Sequence, residues 1–229
     1  RSEVVRRKDL FVAVFANLAH NENRILKISE SLKAYNDRVK DHFANSNRFD
    51  GSNTQPFTQY VEGGSQTSIW GVPSLGIDPA TGEEIFIRPD GSITNTWNTN
   101  DQVVLGDTEP KIQGTFGLNA TYKNLSLYMT FMYEAGGQIY NSTLRDKVED
   151  VNVYTSNVDK RVFSERWQEP GDKARYRKLT SGVGGSIMRT RPTSRFVEDN
   201  NVLTLNSISL GYDFDAGQKW MKRIGLSML

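Results

Sequence analysis

Hydrophobic and polar residues alternate along two long stretches, residues 114–122 and 125–133. Only the polar pair Lys123-Asn124 separates them. Successive side chains of a β-strand point to opposite faces, so each stretch has one apolar and one polar face. The pattern predicts a long β-hairpin that extends from Gly114 to Tyr140. Strands of soluble sheets average about five or six residues, whereas about nine or more are typical of bilayer-spanning barrels.

Further alternating stretches bring the prediction to about seven antiparallel strands, and hence to the all-β class. Besides the hairpin, the predicted strands are residues 10–20, 69–77, 84–88 and 202–214 and a strand after residue 222. A change of phase predicts a bulge near Asn206-Ser207. Leu32, Tyr35, Val39 and Phe43 recur at helical spacing, which predicts a short surface helix in a polar stretch.

The predicted connections alternate in length along the chain. Long polar connections are expected at residues 21–66, 89–110 and 141–198, and short turns at 78–83, 123–124 and 215–222. Tight periplasmic turns that alternate with long extracellular loops are typical of outer-membrane barrels. The sequence therefore predicts a segment of a transmembrane β-barrel with long extracellular loops.

Composition excludes several other classes of protein. The 28 Lys and Arg residues nearly cancel the 27 Asp and Glu residues, so no net field favours nucleic acid. The chain has no cysteine, which excludes a disulfide scaffold, a thiolate zinc site and a cysteine nucleophile. No apolar run of about 18 residues occurs, so no transmembrane helix is predicted. The first ten residues also lack the apolar core of a signal peptide.

No catalytic or metal-binding arrangement stands out, and we expect neither an enzyme nor a cofactor. His20 and His42 lie far apart in sequence without carboxylates at ligand spacing. The glycine-rich run 182–186 lacks the lysine of a phosphate loop, which favours a loop tip. Asp78 and Asp90 precede turn residues and are expected to form turns rather than to bind calcium.

Aromatic and basic residues in the long loops are the remaining candidates for ligand contact. Exposed aromatic rings can stack on sugars, and arginine donates to hydroxyls or carboxylates. The candidate residues for substrate binding or lid contact are Trp97, Trp167, Arg175 and Tyr176. The basic run 173–178 is expected to face lipopolysaccharide phosphates or water. Tyrosines near strand ends are expected in an interfacial girdle or in core packing, namely Tyr122, Tyr128, Tyr133, Tyr140 and Tyr212.

Several ordered phrases of the sequence resemble those of a known family. Residues 21–26 read NENRIL, residues 106–111 read GDTEPK, and residues 136–141 read GGQIYN. The matching phrases also include residues 61–65, 167–179, 196–199 and 208–212. Together they resemble the C-terminal part of the barrel of SusC/RagA-family TonB-dependent outer-membrane transporters.

The resemblance implies a fold and a function. The fold would be a 22-stranded barrel with a plug, of which residues 1–229 would form a partial barrel domain without the plug, the N-terminal strands and the last strand. The function would be import of oligosaccharides or peptides across the outer membrane of a Gram-negative cell. The implied partners are a SusD-like lipoprotein lid, the TonB complex, which acts through the plug, and the lipid and lipopolysaccharide of the membrane.

Two alternatives remain open from the sequence. One is a siderophore or vitamin receptor that has no lipoprotein lid. The other is a secreted soluble β-sandwich that binds or hydrolyses glycans. A sandwich would bury Leu125, Leu127, Met129 and Phe131 against a second sheet, and a hydrolase would need paired carboxylates in one cleft.

Overall fold

The computed structural model describes residues 2–46, 51–153, 155–179, 188–215 and 223–228. Its internal contacts divide the chain into two compact units. The sheet unit comprises residues 1–22, 110–137 and 200–229, and the loop unit comprises residues 23–109 and 138–199. The sequence predicts one partial barrel domain over residues 1–229, and this assignment stays a prediction.

A six-stranded sheet forms the sheet unit, with the strand order β1-β2-β8-β9-β10-β11. The pairs β1–β2, β2–β8, β8–β9 and β10–β11 are antiparallel. The strands are β1 (Ser2–Arg6), β2 (Leu10–Ala16), β8 (Ile112–Tyr122), β9 (Leu125–Tyr140), β10 (Val197–Asp215) and β11 (Arg223–Met228). The all-β class is therefore confirmed.

The predicted hairpin is present as β8 and β9. Its register runs without interruption from the pair Tyr122↔Leu125 to the pair Ile112↔Ala135. Lys123 has a φ of 51°, the left-handed conformation that a two-residue hairpin turn requires. The alternation in the sequence thus corresponds to a real register, with every second side chain on one face.

One face of this sheet is apolar and is not covered within the described part of the chain. The register of β2 on β8 pairs Leu10 with Tyr122 and Val14 with Leu118, which places the alternating residues of three strands on the same face. We call this surface the apolar face. Leu125 is 39% exposed, and Leu127, Met129 and Phe131 are partly exposed. The burial that a soluble sandwich would need is therefore absent at all four test positions.

Two predicted strands do not belong to this sheet, and three observed strands were missed. Residues 69–77 form two short strands, β3 (Ser68–Gly71) and β4 (Ser74–Ile77), which Pro73 separates because it has no N–H for a continuous ladder. They pair within the loop unit, in the sheets β3–β7 and β4-β5-β6. The partners are β5 (Glu84–Ile87), β6 (Ile93–Thr94) and β7 (Val103–Asp107). The prediction missed β1, whose charged sequence hides its pattern, and it also missed β6 and β7, which lie in the predicted polar connection 89–110.

The connections between strands of the large sheet still alternate in length. Residues 7–9 and 123–124 are short turns, whereas residues 17–111 and 141–196 are long connections. The predicted short turn at 78–83 lies inside the first long connection, so that boundary prediction was wrong. In an antiparallel order of this kind, the short and long connections leave from opposite ends of the strands.

The loop unit folds around its own helices and core. Helix α1 (Glu30–Asn45) confirms the predicted surface helix; the Ser29 side chain caps it, and Val39 and Phe43 are buried. Helix α2 (Ser142–Leu144) continues into a π-helical turn (Arg145–Glu149), and α3 is Arg161–Ser164. Short 3₁₀ turns lie at Gly51–Asn53, Thr99–Asp101 and Ser194–Phe196. The core consists of Ile69, Tyr140, Leu144, Val148, Val151, Val162, Tyr176 and Phe196. Among the described residues, no helix is both long and apolar enough to span a membrane.

Candidate functional site

Arg195 is the centre of a buried ion network in the loop unit. Its Nε and Nη2 donate to the two carboxylate oxygens of Glu84, each at 2.8 Å. Nη2 also contacts Glu149 Oε1 at 2.7 Å, and Nη1 donates to the carbonyl of Arg175 at 2.9 Å. A planar guanidinium can satisfy several acceptors at fixed angles, which lysine cannot do. Arg195 therefore ties β5, the π-helical turn and the segment around residue 175 together.

Asp150 extends the network to a further segment. Its carboxylate accepts from Arg177 Nη2 at 2.9 Å, from the Thr190 backbone N–H at 2.8 Å and from the Thr190 hydroxyl at 2.9 Å. Arg177 Nε lies 3.3 Å from Glu149 Oε1. Asp150 therefore anchors the segment around Thr190.

Arg166 holds the backbone around this network. Its guanidinium donates to the carbonyls of Val162 at 3.0 Å, Arg177 at 2.7 Å and Glu149 at 2.9 Å, and it also contacts the Val148 carbonyl. The carbonyls of Val148, Glu149 and Val162 belong to very short helices, where an i+4 partner is often missing, and the Arg177 carbonyl lies outside any helix. A single buried side chain thus replaces the missing helical hydrogen bonds.

The buried setting changes the protonation of two neighbouring carboxyl groups in opposite directions. Burial tends to raise the pKa of Glu149, but the Arg195 and Arg177 guanidinium groups outweigh it and hold that pKa below its usual value. Burial dominates at Asp150 and raises its pKa, despite the attraction of Arg177. A charge in low dielectric is stable only where its partners compensate for lost hydration.

This network corrects the prediction for the basic run 173–178. Arg177 and Tyr176 are buried, so these two residues face neither lipid phosphates nor water. The sequence analysis missed the network because its carboxylates and arginines come from separate polar stretches. The adjacent acids Glu149-Asp150 within an arginine-rich stretch were the available signal.

Trp97, the first of the four candidate residues, is packed into the loop unit. Its Nε1 donates to the Pro192 carbonyl at 3.1 Å. The ring lies 5.3 Å from the Phe43 ring, and the Arg191 guanidinium lies over it at 4.8 Å. The ring also lines a small cavity of about 30 Å³. Trp97 therefore has a clear packing role.

Trp167 is fixed against a turn. Its Nε1 donates to the Pro79 carbonyl at 2.9 Å. Gly82 has a φ of 70°, and a Cβ at that position would lie 2.5 Å from the indole. The glycine is needed both for the left-handed turn and for the close approach of the ring. Trp167 thus clamps the turn that Asp78 begins.

Arg175 and Tyr176 lie together at one pocket. Both line a cavity of about 350 Å³, together with residues 74–76 of β4 and residues 194–196. Arg175 is exposed, contacts Glu198 at 3.3 Å and lies 5.7 Å from the centre of the Tyr176 ring. Tyr176 is almost fully buried. Of the four candidates, the structure brings these two to a shared pocket, and Arg175 alone combines exposure with a polar group there.

The other candidate sites have structural explanations or lie outside the described chain. His20 Nδ1 contacts the Lys111 carbonyl, and His42 Nε2 lies 3.3 Å from the Ser52 carbonyl. Asp78 and Asp90 accept from backbone N–H groups two residues further on, which confirms them as turn formers. The glycine run 182–186 lies outside the described residues. Within the described residues, no group of three potential ligands could hold a metal.

Of the five tyrosines predicted for a girdle or for core packing, Tyr140 lies in a core and the other four lie on the large sheet, where the girdle role stays a prediction. Tyr122 and Tyr133 lie on the apolar face, at opposite ends of the hairpin. Tyr212 pairs with Leu226 on β11 and is 44% exposed. Tyr140 is in the core of the loop unit, and Tyr128 stacks on Phe15 on the opposite face of the sheet.

Two known proteins with similar sequences are both described as TonB-dependent receptors. The chain is 23% identical over 220 residues to TonB-dependent receptor P3 of Formosa agariphila, which covers 93% of this chain and 20% of the receptor. It is 26% identical over 124 residues to TonB-dependent receptor P26 of the same organism, which covers 54% of this chain and 12% of the receptor. No family model matches the sequence.

Solved structures show the same fold. The RagAB peptide transporter superimposes with a TM-score of 0.70 at 20% identity, over 98% of this chain and 24% of the transporter chain. The RagAB peptide importer in its open-open state gives a TM-score of 0.68 at 22% identity, over 99% of this chain and 24% of the importer chain. The chain is thus similar in sequence to TonB-dependent receptors and similar in fold to the RagAB structures. Its fold is that of a segment of a TonB-dependent receptor barrel, and it spans about a fifth of the length of receptor P3.

Proposed function

We propose that this chain is part of an outer-membrane TonB-dependent importer of oligosaccharides or peptides. The observation that carries the proposal is the six-stranded sheet with an uncovered apolar face and with short and long connections at opposite ends. Lipid-facing and interior-facing residues alternate in the same way in outer-membrane barrels. The likeness to the RagAB structures over nearly the whole chain supports the same architecture.

The loop unit would then form part of the extracellular rim. It has its own core and a buried ion network, so it is a folded structure rather than a set of flexible connections. A folded rim of this kind suits contact with a SusD-like lipoprotein lid, whereas TonB would act from the periplasm through a plug. Import would need no catalytic group, since closure around substrate and the pull of TonB would supply the work.

The two alternatives differ in what they require. The secreted β-sandwich requires a buried apolar face, and the exposure of Leu125 argues against it. A receptor without a lipoprotein lid would share the barrel fold, so only the presence of a partner separates it from the favoured proposal.

The test is fractionation of the full-length native protein, followed by affinity purification from detergent-solubilised outer membranes. We expect a heat-modifiable membrane protein that co-purifies with a surface lipoprotein. Recovery from membranes without any lipoprotein would favour the siderophore or vitamin receptor. Recovery in the soluble fraction without detergent would overturn the barrel and restore the sandwich.

A further inference from the structure

The turn of the long hairpin places a cation at the border of the apolar face. Tyr122 is the last residue of β8 on that face and is 52% exposed. The Lys123 ammonium lies over the Tyr122 ring, 5.4 Å from its centre. Lys123 has a left-handed backbone conformation, and the next residue on the apolar face is Leu125 of the returning strand. The aromatic ring thus holds a positive charge where the apolar surface ends.

The neighbouring turn adds two more cations at the same end of the sheet. The Lys123 backbone N–H donates to the Asp9 carbonyl at 2.8 Å, so the β1–β2 turn and the β8–β9 turn are joined directly. Arg7 and Lys8 lie in the β1–β2 turn and are both exposed. Within the described chain, no carboxylate forms an ion pair with Arg7, Lys8 or Lys123. We call these three residues the basic rim.

Nearby charges do not cancel the basic rim. Arg6 is paired with Glu3 at 2.9 Å and packs on Phe11, whose side chain lies on the face opposite Leu10. The charges of Arg6 and Glu3 therefore neutralise each other, and Arg6 packs on the face opposite the apolar face. Asp9 and Asp213 contribute two negative charges against the three positive charges of the basic rim, which leaves a net positive turn region.

More aromatic residues mark the same border on the next strands. Tyr212 and Phe214 lie on one face of β10, with ring centres 4.6 Å apart, and both are about half exposed. The Asp213 backbone N–H donates to the Asn124 carbonyl at 2.9 Å, which sets these rings beside the hairpin turn. Amphipathic aromatic rings with adjacent basic residues are typical of the level of lipid headgroups.

We propose that the basic rim, with Tyr122, binds the phosphate of an anionic phospholipid in the leaflet that faces the periplasm. The proposal rests on the proposed placement of the sheet in the outer membrane. Short turns of such barrels face the periplasm, where the leaflet consists of phospholipid, so lipopolysaccharide in the opposite leaflet is the wrong partner. Clusters of basic residues next to an apolar surface attract anionic headgroups, whereas they have little preference for zwitterionic ones.

The experiment titrates delipidated full-length receptor in detergent with cardiolipin, phosphatidylglycerol or phosphatidylcholine and counts bound lipids by native mass spectrometry. The test variant is R7Q/K8Q/K123Q. The matched control is K27Q/R38Q/K40Q, which removes the same number and kind of charges from exposed positions in and before α1. Since each basic residue near an anionic surface contributes about fivefold in affinity, the test variant should bind anionic lipid roughly 100-fold more weakly. The control should match the parent protein.

Two narrower variants separate the rim from damage to the hairpin turn. R7Q/K8Q leaves Lys123 and its turn intact. Its affinity for anionic lipid should still fall by a large part of the loss seen in the triple variant. Y122L removes the ring but no charge and should weaken binding by about two- to fivefold, since an exposed cation–π contact contributes little more. Y122F should keep the parent affinity, because the ring alone positions the ammonium.

Three outcomes would overturn the proposal. Equal losses in the test and control variants would show attraction to overall charge, and unchanged binding in the test variant would show that the rim is not used. If the receptor bound purified lipopolysaccharide more tightly than cardiolipin, and this binding depended on the basic rim, the proposed lipid would be wrong. A protein that stays soluble without detergent would instead refute the proposed membrane function, which is a separate result.

Discussion

Arg195 contacts both carboxylate oxygens of Glu84 at 2.8 Å, although 111 positions separate the two residues in the sequence. The same guanidinium contacts Glu149 at 2.7 Å, and all three side chains are largely buried. Removing one member of a buried ion pair leaves an uncompensated charge, which is more costly than loss of the contact itself. The loop unit should therefore depend strongly on Arg195.

Replacing Arg195 with alanine should destabilise the loop unit by about 3–5 kcal/mol. Glu84 and Glu149 would both lose their closest cation, while the sheet unit would keep its strands. Hydrogen–deuterium exchange of the full-length receptor should show faster exchange in residues 138–179, where the network is anchored. Arg175→Ala is the matched control, since its half-exposed pair with Glu198 should contribute only about 0–1 kcal/mol. Equal exchange in the two variants would contradict the structural role of Arg195.

Glu149 should make the loop unit sensitive to acid. Its folded pKa lies below the usual value of 4.5, so its contribution is complete above about pH 4.5 and is lost as pH falls through the lowered pKa. Glu149→Gln should therefore be clearly destabilised at pH 7, and the gap from the parent protein should narrow in strong acid. Hydrogen–deuterium exchange rates of loop-unit amides, corrected for the pH dependence of intrinsic exchange, measure this difference in stability as a function of pH.

Asp150 provides a control, because its contribution to stability should change with pH in the opposite direction. Burial raises its folded pKa, so protonation stabilises the fold as pH falls through that raised value. The stability advantage of the parent over Asp150→Asn should widen as pH falls from 7, whereas the advantage over Glu149→Gln should narrow. Parallel pH profiles for the two variants would show that the two carboxyl groups titrate as one, against this assignment.

Gly117 should tolerate no side chain in the sheet. A Cβ there would lie 2.4 Å from the Met129 carbonyl oxygen and 2.4 Å from the Phe15 ring. The carbonyl belongs to the partner strand and cannot move without disturbing the pairing, so Gly117→Ala should cost about 1–3 kcal/mol. The denaturant midpoint of the heat-modifiable form should fall accordingly. Gly51→Ala, where a Cβ would meet nothing within 4 Å, should leave it unchanged. Equal midpoints in the two variants would count against the tight packing.

Sequence pattern predicted the hairpin well because its alternation is long, and a one-residue slip would move Leu125 and Phe131 to the face opposite Phe116 and Tyr122 of the partner strand. It failed at β1, where Glu3 and Arg6 hide a strand of five residues, and at β3 and β4, where short apolar stretches fit a local sheet equally well. The ion network was beyond pattern analysis, since pairs such as Arg195 and Glu84 are set by the fold and leave no periodic signal.

Among the four residues first proposed for ligand contact, Arg175 should have the clearest effect on ligand binding. It is exposed at a pocket, and its pair with Glu198 is weak enough to be exchanged for a carboxylate or hydroxyl of a ligand. Trp97 and Trp167 donate to backbone carbonyls, so their loss should act through stability.

Arg175→Ala should thus lower ligand affinity about tenfold, since one charge-assisted hydrogen bond contributes about 1.5–3 kcal/mol, without faster exchange in the loop unit. Isothermal titration of the purified receptor complex with its transported ligand measures the affinity, and Lys40→Ala on the exposed side of α1 is the charge-matched control. Trp167→Phe removes the indole N–H and the five-membered ring, and it should accelerate exchange around residues 79–82 while affinity follows the folded fraction. Unchanged affinity in Arg175→Ala, or a tenfold loss in Trp167→Phe without faster exchange, would reverse the assignment and place the ligand at the indole.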